Sequence, residues 1–314
     1  MREDGDIKRG IGILRGQSKS IRYVLLFVSV AIIWGSSFLL VKDLVGDDVP
    51  VFLFLSIRFL VGFFALYILK RGRRESRISR REIRHGVFMG GIVFLAFILQ
   101  TFGAVYTTAA KNGMLTGLYV IMVPLFLLAL SRRWAWKPLL DAGICLVGMA
   151  VLFDIFGNLS AVNLGDILTI LCAAAFSVQF IFLEKYSASL NTWNYTVVML
   201  ISVSMLAALA SLVFEHQLYS DLVLSGKHLL VIVFLGIFST AYAYWVQTFV
   251  QTKLSAVTVS LIACLESVFA VLFSLLFGFE TASPHLLFGS LIILVSMVSS
   301  VVWAGKKKET AGVK

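Results

Sequence analysis

Ten long apolar runs, joined by short polar links, occupy almost the whole chain. With loose ends they fall at 22–41, 51–69, 86–106, 112–130, 138–156, 165–183, 193–214, 228–249, 254–277 and 285–304. Each approaches the roughly 20 residues that a helix needs to cross a bilayer. The runs are continuous, whereas barrel strands alternate and are shorter, so the pattern predicts ten transmembrane helices. Residues 1–21 are polar and basic and are expected to carry little order. The first run is long, lacks a clear small-x-small cleavage site and belongs to an even set, so it reads as a retained span rather than a signal peptide.

The ninth run carries the most informative position. Leu254–Phe279 contains a single charge, Glu266, which lies 13 positions after Lys253 and 14 before Glu280. At about 1.5 Å per residue the carboxyl sits roughly 20 Å from either end. That is mid-depth in the hydrocarbon, where a carboxylate needs a partner or a wet cavity.

The runs also repeat. Gln247-Thr248-Phe249 copies Gln100-Thr101-Phe102 at an offset of 147, and the same offset pairs Ala96 with Ala243, Ala109 with Ala256, Leu118 with Leu265, Tyr119 with Glu266 and Phe126 with Phe273. In the opening helices Ser37 falls opposite Gln179, at an offset of 142. Gly157, Asn158, Ser160 and Asn163 cluster in a link at 157–164, which divides the chain into a tail at 1–21, a first repeat at 22–156, a second repeat at 165–304 and a tail at 305–314. Five helices is an odd number, so the second repeat enters the membrane with the opposite orientation. An inverted-topology repeat of this kind places a binding site between its halves near the midplane.

Composition agrees with a membrane protein. The 314 residues are 59% hydrophobic and 14% charged, with mean hydropathy +0.94, against about a quarter charged in soluble domains. With the N-terminus inside, 23 of the 27 Lys and Arg fall in inner segments and three (Lys42, Lys111 and Lys227) in outer ones, with Arg58 inside a span. The positive-inside bias then puts both termini in the cytoplasm. The net charge of +10 is explained by topology and implies no nucleic-acid partner. The Lys70–Arg84 cluster could also touch anionic lipid, although a purely topogenic role accounts for it.

These residues carry a resemblance. Trp34-Gly35-Ser36-Ser37-Phe38, followed by Lys42, Pro50 and Arg58-Phe59, resembles the opening of an EamA-type unit of the drug/metabolite transporter superfamily. Tyr106-Thr107-Thr108-Ala109-Ala110 leading into Gly117–Pro124 is similar to its fourth helix. Gly165-Asp166, Leu254-Ser255-Ala256, Leu265-Glu266, Gly278, Glu280 and Gly289 resemble a second unit. One departure is Ser267, where the family often has proline after the glutamate; without proline a break in that helix is less expected. The resemblance implies a ten-helix transporter of small metabolites, often an exporter, in a bacterial-type inner membrane.

Eight residues are candidates for binding or coupling. Glu266 could bind a cationic group or carry a coupling proton, or could be a structural helix contact. Arg58 could clamp a carboxylate, snorkel outward or pair with Glu266. Gln100 and Gln247, related by the repeat, could line a central cavity or bond between helices. Tyr119 and Tyr244 sit inside their spans rather than in an interfacial belt, and Trp34 and Gln179 lie on the first and sixth spans. Asn112 is expected to cap its helix, Gly113-x-x-x-Gly117 to admit a neighbouring helix, and Lys42 and Lys111 to be external anchors.

The expected partners are the lipid bilayer and a small solute, with possible proton coupling. No cofactor or metal site is expected. Cys145, Cys172 and Cys264 lie inside apolar runs without ligand spacing, and no Walker-type phosphate loop occurs. The leading expectation is a secondary transporter, probable exporter of amino-acid-like or other small organic solutes, alternating between its two repeats. A channel or membrane sensor is the alternative. An intramembrane enzyme would need a reactive constellation, and Glu266 is the one acid well inside a span.

Overall fold

The computed structural model describes residues 2–73, 77–131, 136–154, 162–219, 224–277 and 283–311. Among these the chain is helical: α1 (Arg2–Gly46), α2 (Val51–Gly72), α3 (Arg80–Tyr106), α4 (Ala109–Thr116), α5 (Tyr119–Ser131), α6 (Trp136–Leu152), α7 (Leu164–Ser187), α8 (Thr192–Phe214), α9 (Gly226–Phe234), a π-helical stretch (Leu235–Tyr242), α10 (Ala243–Gln251), α11 (Ala256–Ala263), α12 (Leu265–Leu276) and α13 (Pro284–Ala311). Three spans are built from pieces: α4 with α5, α9 through the π stretch into α10, and α11 with α12. The result is a ten-helix, all-α polytopic membrane protein. Among the described residues nine spans are long and apolar enough to cross a membrane by length and composition, and the 17-residue α6 is the short tenth. Helices are the form available to apolar runs in lipid, because each backbone group finds its partner within its own segment.

Helix ends follow from local sequence. Ser79 with Glu82 and Asn163 with Asp166 form capping boxes at the starts of α3 and α7. Pro50 precedes α2, and Pro284 opens α13, where the missing N–H does no harm. Glu215 caps α2 from another helix, accepting the N–H groups of Phe52 and Leu53 at 2.9 Å each. Asp48 turns the link between α1 and α2 at φ 58°, a conformation that Asp tolerates better than most residues.

The halves meet reciprocally. A Cβ on Gly148 of α6 would lie 2.9 Å from the side chain of Ile293 on α13. A Cβ on Gly289 of α13 would strike the backbone of Leu152 on α6. Gly148 and Gly289 are 141 residues apart, as are Leu152 and Ile293, so residue i meets j and the mate of i meets the mate of j. That reciprocity is the signature of an isologous, two-fold contact. The cross-repeat seams of α3 with α7, α2 with α8 and α1 with α12 complete the bundle.

Several expectations need correction. The ninth span does break, between Ala263 and Leu265, although no proline follows Glu266. Asn112 does not cap α4. Thr108 accepts the Lys111 N–H in that role, while Asn112 Nδ2 donates to Gln100 O at 2.9 Å and to Thr169 Oγ1 at 3.0 Å. Gly113 and Gly117 face side chains, Phe38 and Met149, and the close backbone approaches lie elsewhere, at Gly62 beside Gly236 and at Gly103 beside Gly165. Lys111 forms an ion pair with the largely buried Asp166 at 2.6 Å, and Lys42 Nζ donates to Ala104 O at 2.6 Å and Thr107 O at 2.9 Å, so both lysines fasten helix ends. Gly157, Asn158 and Ser160 of the link, Gly278 and Glu280 of the resemblance, and Arg74, Arg132 and Arg133 of the charge pattern lie outside the described residues.

Candidate functional site

The two broken spans determine the centre of the molecule. α4 stops at Thr116 and α11 at Ala263, positions 147 apart. Just past each break stand Tyr119 and Glu266. The Tyr119 hydroxyl donates to Glu266 Oε1 at 2.8 Å, and the Cys264 thiol reaches Gly117 O at 3.6 Å. Both contacts join a residue to its own mate at the 147-residue offset. Atoms that touch their own symmetry mates lie on the pseudo-two-fold axis, so the repeat axis passes between the two breaks.

Glycine brings α1 against this point. A Cβ on Gly35 would stand 2.7 Å from Glu266 O and 2.9 Å from Ala270 N, so any other side chain would push α1 away from α12. The close fit buries Glu266 to 4% exposure.

Arg58 is placed by a second irregularity. The wider turns of the π stretch Leu235–Tyr242 re-aim its side chains relative to a regular helix. Ser239 Oγ accepts from Arg58 Nη2 at 3.0 Å and Thr240 Oγ1 from Arg58 Nε at 2.9 Å. The guanidinium also lies over the ring of Phe97, 4.9 Å from its centroid, a favourable place for a desolvated cation. Among the described residues no carboxylate lies within ion-pair distance of Arg58 and no cation within ion-pair distance of Glu266. Each group is held by neutral hydroxyls.

Both border one cavity of about 660 Å³, its opening included. All eight residues singled out from the sequence line it: Glu266, Arg58, Gln100, Gln247, Tyr119, Tyr244, Trp34 and Gln179. Gln100 Nε2 donates to Thr116 Oγ1 at 3.3 Å. Gln247 and Gln179 exchange amide hydrogen bonds of 3.2 and 3.3 Å, forming a floor. Trp34 Nε1 donates to Ser239 O at 3.1 Å, and its ring packs against Tyr244.

Phe38, Phe97, Phe176, Phe180 and Thr116 also line the cavity and escaped the sequence reading. A phenylalanine in an apolar run gives no sign of facing a ligand. The repeat register could have found them, since Trp34 and Phe38 map at 142 onto Phe176 and Phe180, and Phe97 maps at 147 onto Tyr244.

The cavity has a direction. Its lining on α1, α3 and α4 (34–41, 97–104 and 112–116) lies toward the end of the bundle away from the termini. The mates of Val41 and Ala104 at the other end, Leu183 and Gln251, are buried and do not line it. The chamber thus extends further toward one end than toward the other.

Comparison with known proteins matches this architecture. The EamA-like transporter family profile fits the chain twice, over residues 21–154 and 163–302. An uncharacterized transporter from Archaeoglobus fulgidus is 28% identical over 280 residues, covering 86% of this chain and 82% of that protein. The uncharacterized transporter YoaV of Bacillus subtilis is 21% identical over 302 residues, covering 92% and 99%. A crystal structure at 19% identity superposes with a TM-score of 0.75 over 91% of this chain and 98% of that one, a likeness of fold.

Proposed function

We propose a mechanism from one premise: the chain belongs to the EamA-like transporter family, within the drug/metabolite transporter superfamily, and works as a transporter rather than an enzyme. It is a secondary transporter that carries a small zwitterionic, amino-acid-like solute by alternating access, as an exporter in a bacterial-type inner membrane with both termini cytoplasmic.

The observation that carries the reading is a guanidinium and a carboxyl group on one cavity, each held by hydroxyls and neither paired with the other. A solute carboxylate meets the Arg58 fork, which suits that planar anion. A solute ammonium meets Glu266, and Phe97, Phe176 and Tyr244 supply apolar walls. Desolvating two opposite charges is least costly when the ligand satisfies both at once. The chamber opens to one end, and the inverted repeat supplies a two-fold-related arrangement opening to the other, so rocking about the Tyr119–Glu266 contact exposes the solute to each side in turn. Between solutes, Glu266 exchanges a proton, which couples transport to protons.

Counterflow in proteoliposomes tests this. Vesicles loaded with one candidate should accumulate the same labelled solute, with saturation, from a panel of zwitterionic, cationic and anionic metabolites. Zwitterions should be preferred, and acidifying the side of solute release should stimulate flux. Flux linear in concentration would point to a channel, and preference for plain anions would refute the charge assignment.

A further inference from the structure

Beneath the Gln179–Gln247 floor lies a second set of polar groups that the cavity does not use. Glu184 and Ser187 follow the cavity-lining Phe180 on one face of α7 at helical spacing. Gln251, one turn beyond Gln247, donates Nε2 to Phe180 O at 2.8 Å. Glu184 Oε2 accepts the N–H of Ala256, the first residue of α11, at 2.8 Å. Two bonds thus tie α7 to the link between α10 and α11, one turn apart.

The seam also holds polar atoms that it does not pair. Ser187 Oγ and Gln251 Oε1 are buried without a hydrogen-bond partner among the described residues, as are Tyr195 Oη, Trp245 Nε1 and Ser267 Oγ elsewhere. Buried polar atoms in a lasting interface are nearly always satisfied. In a passage that opens, water reaches them and the cost falls only on the closed state.

We propose that this polar set is the closed half of the solute path, leading to the end that carries the termini, and that the Glu184–Ala256 bond is the latch that keeps it shut. The proposal rests on the alternating-access reading above. The repeat register supports it, because Glu184 lies 142 residues after Lys42, the offset that relates Ser37 to Gln179. Lys42 holds the carbonyl end of α3 at the open mouth, and Glu184 holds the amide start of α11 at the closed one. Each sign suits the helix end it grips, cation to C-terminus and anion to N-terminus. Glu184 touches no solute in this arrangement, so it is a positioning residue.

The test uses the full-length protein in membrane fragments open on both sides, labelled with a membrane-impermeant maleimide. The three native cysteines are buried and give a low background. Reporters are Ser187→Cys in the closed passage and Val41→Cys in the open cavity. Glu184→Ala should raise labelling at 187 about tenfold, the equilibrium shift expected for one lost hydrogen bond, and lower labelling at 41. Glu184→Gln keeps an oxygen for the Ala256 N–H and should stay near wild type. Ala256→Pro removes the N–H at a helix position that accepts proline; it should reproduce the Glu184→Ala pattern and add little to it. Unchanged labelling at 187 in both Glu184→Ala and Ala256→Pro would overturn the latch. A rise at 187 with no fall at 41 would also overturn it, because it would mean loosened packing rather than a shift between two states. Labelling needs no solute, so a working latch in a protein that moves no panel solute would discard the transport assignment and leave the latch standing.

Discussion

Toward the end of the bundle away from the termini, α1 sets both Phe38 and Val41 on the cavity. Toward the other end, α7 sets Phe180 on it, but Leu183, the mate of Val41, is buried, and Glu184 is bonded to the start of α11. The α3 and α10 lining differs in the same direction. Gln100 is half-buried and bonded to Thr116, while its mate Gln247 is 1% exposed and bonded to Gln179. Similar sequences in two-fold-related places thus adopt different states. A fold that is two-fold symmetric in backbone has to break that symmetry somewhere in order to be open at one end. Here it is broken by side chains at the rims, while the Tyr119–Glu266 contact and the Gly148–Gly289 seam stay on the axis.

The comparison fails at its root if the repeats do not meet reciprocally. Gly289→Val would drive a side chain into the Leu152 backbone, so the variant should yield almost no monodisperse protein by size-exclusion chromatography. Gly143→Val, on the same α6 but with nothing within 4 Å, should behave as wild type. Equal yields from the two would remove the seam from the argument.

Next in size is Arg58, which has no counterpart charge in the other repeat. Arg58→Met keeps volume and removes the fork. Uptake of a zwitterion should fall by roughly 10- to 100-fold, the worth of a charge-assisted hydrogen bond at about 1.5–3 kcal/mol. A cationic analogue lacking the carboxylate should move as well as through wild type. Equal losses for both solutes would mean that Arg58 only braces α2 against the π stretch.

A smaller effect separates the two glutamines. Gln247→Leu strands the Gln179 amide in a dry floor and should cost about 1–3 kcal/mol. Gln100→Leu leaves Thr116 beside the open cavity, where water can replace the lost bond, so its penalty should be less. Thermal unfolding in detergent ranks the two; equal shifts would show that the two ends are equally dry.

Much of this was legible in the sequence because lipid restricts the choices. Continuous apolar runs leave helices as the available form, and Glu266 at mid-depth had to face inward. The 147-residue offset then brought Tyr119 to the same place, and the two do touch. What escaped is local or depends on packing. The π stretch that positions Ser239 and Thr240 has no composition signal. The break before Leu265 occurs without a proline, at the point where Cys264 and Gly117 face each other across the axis. Lys42 and Lys111 read as loose anchors because sequence shows charge but not the helix ends within reach. Asn112 had a good capping position, and Thr108, four residues earlier, took that role.

The most direct test is Glu266→Gln, which keeps size and hydrogen bonding to Tyr119 and removes the charge and the exchangeable carboxyl proton. Saturable counterflow of a labelled zwitterion is measured for wild type and variant, reconstituted at equal density. The account predicts normal insertion, a roughly 10- to 100-fold loss of zwitterion exchange, as loss of a charged contact gives, and no remaining dependence on proton gradient. Exchange near the wild-type rate, with its proton dependence intact, would contradict it and leave Glu266 as a hydrogen-bond acceptor between two helices.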